Sequence, residues 1–363
     1  MNYRIGKLVL LLFIAVAQIA NAQSNKDIAL KKGKEAIRLM DSGKIDESIA
    51  LLEETQKLDP EKFDYPYELA LAHYMKEDYK GAVKILEKNS DHKNVSDNLF
   101  QLLGNCYDIL GKTEKAFEAY DVGLKKFPSS GPLYLEKGNV YWGKKDYNKA
   151  VGYYEKGIEV DPKFPSNYYR AARIYCNSTE EVWGLIYGEI FINLESNSKR
   201  TDEISKLLFD TYRSEIKFTS DSTMSVSFCK NMTMNVSDMM DTNNIKLPFC
   251  MIYEPTLITS ISLAAERKIN LETLSIIKTK FIENYYAMEH DKTHPNILFD
   301  YENKIVKAGH SEAYNCWLLR KGDEDAFAKW KSSNTTKWEN FGMWLADNEL
   351  KLDEAHKFYS GQY

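Results

Sequence analysis

The sequence predicts an all-α protein: a solenoid of stacked helical hairpins, followed by a mainly helical C-terminal region. Three observations carry this. First, Ser48, Ala82, Ala116 and Ala150 stand 34 residues apart, and Gly184 continues the series. Second, a small residue lies twelve positions before each anchor: Ala36, Ala70, Gly104, Gly138 and Ala172 in turn. Third, Pro60, Pro128 and Pro162 follow their anchors by twelve residues, with Asn94 in that place once. Two small residues per period mark where two helices approach closely. The proline ends the second helix, because it has no N–H and crowds the preceding turn. One such hairpin cannot bury its apolar face alone, so several must stack.

The chain opens before the repeats on another kind of segment. Arg4 and Lys7 precede an apolar run from Leu8 to Ala17 that continues to Ala20, and Ala20-Asn21-Ala22 gives a small-x-small pattern before Gln23. This reads as a cleavable secretory signal over residues 1–22, its apolar run too short to anchor a membrane protein. The expected location is secreted or periplasmic, with a mature chain beginning at Gln23 and a bacterial character. No cysteine stands near the cleavage point for lipid attachment, and no later segment reaches the roughly 18 apolar residues of a spanning helix.

The repeats follow in order. The first keeps Ala36, Gly43 and Pro60 but has Ser48 where alanine is usual. The second keeps Leu69-Ala70, Asp78-Tyr79 and Ala82. The third has Leu103-Gly104, Tyr107, Gly111, Ala116, Tyr120 and Pro128. The fourth has Gly138, Tyr141, Asp146-Tyr147, Ala150, Tyr154 and Pro162. A fifth, near 165–198, keeps Ala172, Tyr175 and Gly184 and then decays. Gly43 and Gly111 fall at the turn inside the hairpin, where positive φ is cheap for glycine. These residues and spacings resemble the tetratricopeptide repeat family over about residues 27–198. The domain reading is a signal at 1–22, a solenoid over 23–198 of about five repeats, and a C-terminal region over 199–363.

After Ser198 the period is lost. Thr201 to Phe218 reads as an amphipathic helix, with Ile204, Leu207, Leu208, Tyr212 and Ile216 on one side, placed to cap the open end of the solenoid. Over 222–253 the pattern changes to period two. Met224, Val226 and Phe228 alternate with polar residues, as do Ile245, Leu247 and Phe249, which suggests a short β-hairpin with Pro248 confining its second strand to an edge. Helices are expected again at 256–267, 271–289, 296–308, 311–320, 323–331 and 335–346. Trp338, Phe341 and Trp344 share a face of the last, with core packing as the simplest role and an aromatic ligand platform as the alternative.

Composition excludes several functions. The formal charge is −5 with acidic and basic residues interspersed, so the basic stripe that nucleic acid requires is absent. There is no phosphate-binding glycine loop, no nucleophile elbow and no paired-histidine zinc motif, so no catalytic residues and no cofactor are assigned. His290 and His294 stand four apart, but Pro295 places the second beyond a helix end, and both read as surface residues. Six methionines between 224 and 251, near Cys229 and Cys250, could suit soft Cu(I), or fill an irregular core. Five cysteines allow at most two internal bridges. Cys229 with Cys250 is the best pairing, and buried free thiols are the alternative.

The resemblance implies a binding scaffold. In that family, the first helix of each repeat lines a concave groove, and the corresponding residues here are Tyr67, Tyr74, Gln101, Asn105, Asp108, Leu135, Asn139, Trp142, Tyr169 and Arg173. Asn105 and Asn139 are one repeat apart, where the family often holds a peptide backbone by an asparagine amide, both donor and acceptor. Only Arg173 is basic among them, so the family's clamp for a terminal carboxylate is not supported. The expected partner is a protein or peptide. The alternative is a carbohydrate-binding or catalytic accessory of the cell envelope, using the aromatic-rich half after residue 198.

Overall fold

The computed structural model describes residues 23–220, 223–230, 247–262 and 266–363. It divides into two compact units, one ending at Val140 and one spanning Tyr141–Tyr363.

The first unit is a run of helices: α1 (23–41), α2 (Ile45–Leu58), α3 (Asp64–Met75), α4 (Tyr79–Asn89), α5 (Asp97–Ile109), α6 (Thr113–Lys126) and the start of α7 (Gly131–Gly143). From α2 to α6 each packs on the next, and α3 also meets α5. The small anchors sit where the sequence placed them. Ala36, Ala70, Ala82 and Ala116 are fully buried. A Cβ on Gly104 would stand 2.0 Å from the Tyr120 ring, so only glycine lets α5 and α6 approach. Ser48 replaces alanine at no cost, because its buried hydroxyl donates to the Ala36 carbonyl at 2.8 Å. Around these contacts Leu99, Phe100, Leu103, Tyr107, Tyr120 and Leu133 form the core.

The turns repeat as strictly as the anchors. Gly43 and Gly111 have φ of +77° and +71°. The matching residues of repeats two and four are not glycine, yet Glu77 and Lys145 take φ of 63° and 61°. Their helices compensate at the next position. Asp78 and Asp146 cap α4 and α8 (Tyr147–Val160), accepting from the backbone N–H of Gly81 at 2.9 Å and Lys149 at 3.2 Å.

The second unit continues with α9 (Pro165–Tyr175), α10 (Glu181–Leu194) and α11 (Lys199–Glu215). α10 is buried on nearly all sides, as its apolar sequence requires. The expected helix to Phe218 is corrected: α11 stops at Glu215, and β1 (Ile216–Phe218) pairs antiparallel with β2 (Met224–Val226). The expected hairpin is therefore corrected too. Val226 faces Ile216, not a residue of 245–249. Ile245 lies outside the described residues, and Phe249 begins a helix.

That helix is α12 (Phe249–Ser262), seven residues earlier than expected at its start, with Pro255 inside it. The hydroxyls of Thr256 and Thr259 bond the carbonyls of Ile252 and Pro255, and Met251, four before the proline, is exposed. Then come α13 (Leu271–Ala287), the one-turn α14 (His290–Thr293), α15 (Ile297–Lys307), α16 (Ser311–Leu318), α17 (Glu324–Ser333) and α18 (Thr335–Asp347). Apart from α14, which was not expected, these match the expected helices within a few residues. α13 is the hub, packing on α12, α15 and α16. Beyond α18, residues 348–359 lie without regular structure and bring Phe358, fully buried, against Trp183 and Tyr187.

Candidate functional site

In the first unit the expected groove residues lie on α3, α5 and α7. Tyr67 and Tyr74 are half-buried against the core, and Tyr74 meets the Tyr79 ring edge-on at 5.4 Å. Leu135 is half-buried as well. Asp108 is exposed near the end of α5. Asn105 is half-exposed, and its side-chain oxygen accepts from the Tyr120 hydroxyl at 2.7 Å. Burial first, then Glu136 and Asp108, push the Tyr120 hydroxyl far above its ordinary range, so it stays a donor at any working pH. The bond fixes the Asn105 amide and leaves its NH₂ without a hydrogen bond among the described residues.

Asn139 differs from its repeat partner. Its NH₂ donates to Glu136 at 3.0 Å, and the Gln101 amide donates to the other Glu136 oxygen at 2.8 Å. One carboxylate thus holds two of the expected residues. Glu136 was not singled out in the sequence. The signal was there, one place along from the expected positions: Glu68 and Glu136 stand two periods apart.

The remaining three residues belong to the second unit. Trp142 is half-buried, with the Arg173 guanidinium 5.2 Å and the Arg170 guanidinium 5.6 Å from its ring centre. Arg173 pairs with Glu203 at 3.1 Å and donates to the Tyr169 hydroxyl at 3.3 Å. Tyr169 is buried and donates to Glu203 at 2.6 Å. Trp142, Tyr147, Asn148, Arg173 and Asn177 line an open pocket of about 490 Å³.

The other candidates resolve differently. His294 is not a surface residue. It is 2 % exposed, its Nε2 bonds the Leu247 carbonyl at 2.7 Å, and it stacks on Tyr363. Cys229 and Cys250 form a disulfide. Glu180 lies close enough to both sulfurs to complete a ligand cluster, but bonded sulfurs are not thiolate ligands. Of the six methionines, Met232, Met234, Met239 and Met240 lie outside the described residues, and Met251 is exposed. Burial pushes the free thiols of Cys106, Cys176 and Cys316 up to about 12, which makes them poor nucleophiles.

Among the C-terminal aromatics, Phe341 is buried under Trp317, Trp338 and Tyr314, which is core packing. Trp344 and Tyr301 line an open cleft of about 380 Å³ beside Asp300, Asp347, Glu349 and Asp353. Sequence reading missed a buried ionic cluster. Lys278 of α13 meets Glu189 of α10 at 2.8 Å and Glu302 of α15 at 2.9 Å, all nearly inaccessible. The gap beside it measures about 10 Å³, room for about one water and no substrate. Among the described residues no helix is long and apolar enough to cross a membrane.

Two tetratricopeptide repeat profiles match, over residues 34–88 and 131–164. No curated protein sequence matches. Among solved structures, the chain is similar to YrrB, described as a TPR protein with an unusual peptide-binding site (18 % identity, 49 % of this chain and 92 % of that one, TM-score 0.34). It is also similar to PilF of Pseudomonas aeruginosa (15 %, 53 % and 85 %, TM-score 0.44). A third likeness is to the C-terminal part of a TPR repeat-containing protein from Cytophaga hutchinsonii (14 %, 81 % and 96 %, TM-score 0.41). At these scores the likenesses carry no argument of their own. The anchors, the turns and the two profile matches do: residues 34–88 and 131–164 of this chain are tetratricopeptide repeats.

Proposed function

We propose that this chain is an exported, non-catalytic scaffold that binds an extended segment of a protein partner on the first-helix faces of its repeats. The observation that carries the reading is Asn105. Its oxygen is held by Tyr120, and its NH₂ is left as an oriented donor on a half-exposed aromatic face. A peptide carbonyl is the natural acceptor for such a group. Within the second unit, taken by itself, Trp142 and Arg173 with the pocket beside them offer contact area of the kind that anchors interfaces.

The test is capture of partner proteins from the producing cell's envelope fraction. Asn105→Ala should weaken capture about five- to tenfold, the worth of one hydrogen bond of about 1 kcal/mol. Asn139→Ala should cost less, because its amide is already engaged by Glu136. Equal capture by wild type and both variants would remove the groove from the function. Export is supported by the charged-then-apolar N-terminal pattern and by the Cys229–Cys250 disulfide, a bond at home in oxidising compartments. A chain retained in the cytoplasm with an intact N-terminus would refute that part.

A second reading rests on the cleft of Trp344 and Tyr301 beside four carboxylates, an arrangement suited to stacking and hydrogen-bonding a sugar. Glycan binding lost in Trp344→Ala would favour it over the scaffold.

A further inference from the structure

Charge is sorted between the helices of the middle repeats. Within the first unit, α3, α5 and α7 carry five carboxylates, Asp64, Glu68, Asp97, Asp108 and Glu136, against one lysine. That lysine, Lys137, is buried and bonded to Asp121 of α6 at 2.6 Å. The second helices α4 and α6 carry six lysines against four carboxylates. The first-helix face of repeats two to four is therefore negative, while repeat one is sorted the other way, α1 carrying five basic residues against three acidic ones and α2 four acidic residues against one lysine.

Cations do not answer this charge from within. Among the described residues only Asp64 has an ion pair, with Lys62 at 3.4 Å. Glu136 is held by two neutral amides, and Asp97 by the Ser130 hydroxyl at 2.6 Å. Glu68 is half-buried. Burial, then the charges of Asp64 and Asp41, hold its carboxyl above the usual carboxylate range, so it sits in a field that disfavours a further negative charge. Burial first, then Glu68 and Asp97, raise Tyr67 in the same way. Burial first, with Glu136 the smallest contributor, raises Tyr74. Three of the carboxylates thus lie within electrostatic reach of two half-buried tyrosine rings, whose faces attract cations.

We infer that the segment docking on the α3–α5–α7 face is cationic: an extended peptide carrying lysine or arginine side chains between the tyrosines and the carboxylates. This rests on the docking reading proposed above and names the partner's chemistry. The face supplies hydrogen-bond acceptors and aromatic rings for each basic head group, while the Asn105 NH₂ takes a backbone carbonyl. Charge complementarity of this kind sets partner choice and association rate, and it weakens with salt.

The test uses the full chain and three fluorescent nine-residue peptides of equal aromatic content, bearing three lysines, three glutamines or three glutamates. The lysine peptide should bind at least tenfold tighter than the glutamine peptide at about 50 mM salt, and the preference should shrink at about 300 mM. Glu68→Gln/Glu136→Gln, with wild-type circular dichroism, should abolish the preference, since glutamine at 136 keeps the shape and one oxygen to accept from Gln101 or Asn139 but carries no charge. Glutamine or glutamate peptides that bind as tightly, and lose binding in Asn105→Ala, would overturn the charge inference and leave the docking reading standing. A lysine preference that survives the double variant would place cation binding elsewhere and overturn the inference. No binding by any peptide to about 1 mM would overturn both.

Discussion

Replacing Lys278 by methionine tests what holds the second unit together. Lys278 lies between Glu189 and Glu302, and all three are nearly inaccessible. Burial opposes its charge, yet the two carboxylates outweigh burial and hold the ammonium above its ordinary range. Glu302 is held well above the ordinary range by burial and by Glu189, with Lys278 pulling the other way. Methionine would fill the space and remove the cation. Breaking a buried ionic cluster on one side costs about 3–5 kcal/mol, and at about 2–4 °C per kcal/mol for a unit of this size the midpoint should fall by roughly 6–20 °C. The loss should depend on pH. A carboxyl raised in the folded state stabilises fully below its unfolded value near pH ~4.3, and that contribution fades as pH rises through the folded value. Removing Lys278 lifts the folded value further, so the variant should lose stability more steeply with rising pH, by up to about 1.4 kcal/mol per unit for each extra proton. All six tryptophans lie in the second unit, so denaturation followed by their fluorescence reports on it. Expected are a large deficit at pH 8, a smaller one at pH 5, and partial recovery when Glu302→Gln is added. Equal deficits at both pH values, or none, would refute the argument.

Three further outcomes follow from single contacts. Glu77→Gly and Lys145→Gly should each raise stability by about 1 kcal/mol in urea denaturation, because both residues sit at positive φ, where a Cβ is unfavourable. Reducing the Cys229–Cys250 bridge, or replacing both cysteines by serine, should cost about 3 kcal/mol for a loop of 21 residues, read as a lower denaturation midpoint under reductant. Phe358→Ala should cost about 3–5 kcal/mol, because its fully buried ring packs on Trp183 and Tyr187, and a midpoint within error of wild type would mean that the segment after α18 is dispensable.

The sequence showed what local geometry forces. A small residue at Gly104 is legible because Tyr120 leaves no room for a Cβ, and the alanine anchors Ala36, Ala70, Ala82 and Ala116 are fully buried. The glycine turns at 43 and 111 were legible, but the same backbone at Glu77 and Lys145 was not, because there the register of two packed helices imposes a conformation the residue resists. The hairpin was misread for a related reason. Alternation marks Met224–Val226 as strand-like but does not name its partner, and Ile216 continued the helical stripe of α11 well enough to hide β1. The Glu189–Lys278–Glu302 cluster left no trace, since its members are 89 and 24 residues apart and each looks like an ordinary surface charge. Spacing likewise located the faces that carry Asn105 and Asn139, but not the difference between them, which comes from Tyr120 on one and Glu136 on the other.

That difference makes Tyr120 the point where packing and binding meet. Its ring fills the space over Gly104, and its hydroxyl holds Asn105. Tyr120→Phe keeps the ring and removes only the bond, so the repeats should stay folded at a cost of about 1 kcal/mol. The Asn105 amide would then be free to rotate, and its NH₂ would have to be ordered on binding. Peptide affinity should fall, by less than in Asn105→Ala, although Tyr120 is nearly inaccessible and touches no partner. Once Asn105 is alanine there is no amide to orient, so adding Tyr120→Phe should cost binding nothing more. Such a cycle isolates the coupling between the two side chains. Additive losses would mean that Tyr120 acts on the face by some route other than Asn105, and an affinity unchanged in Tyr120→Phe would mean that the amide needs no holding.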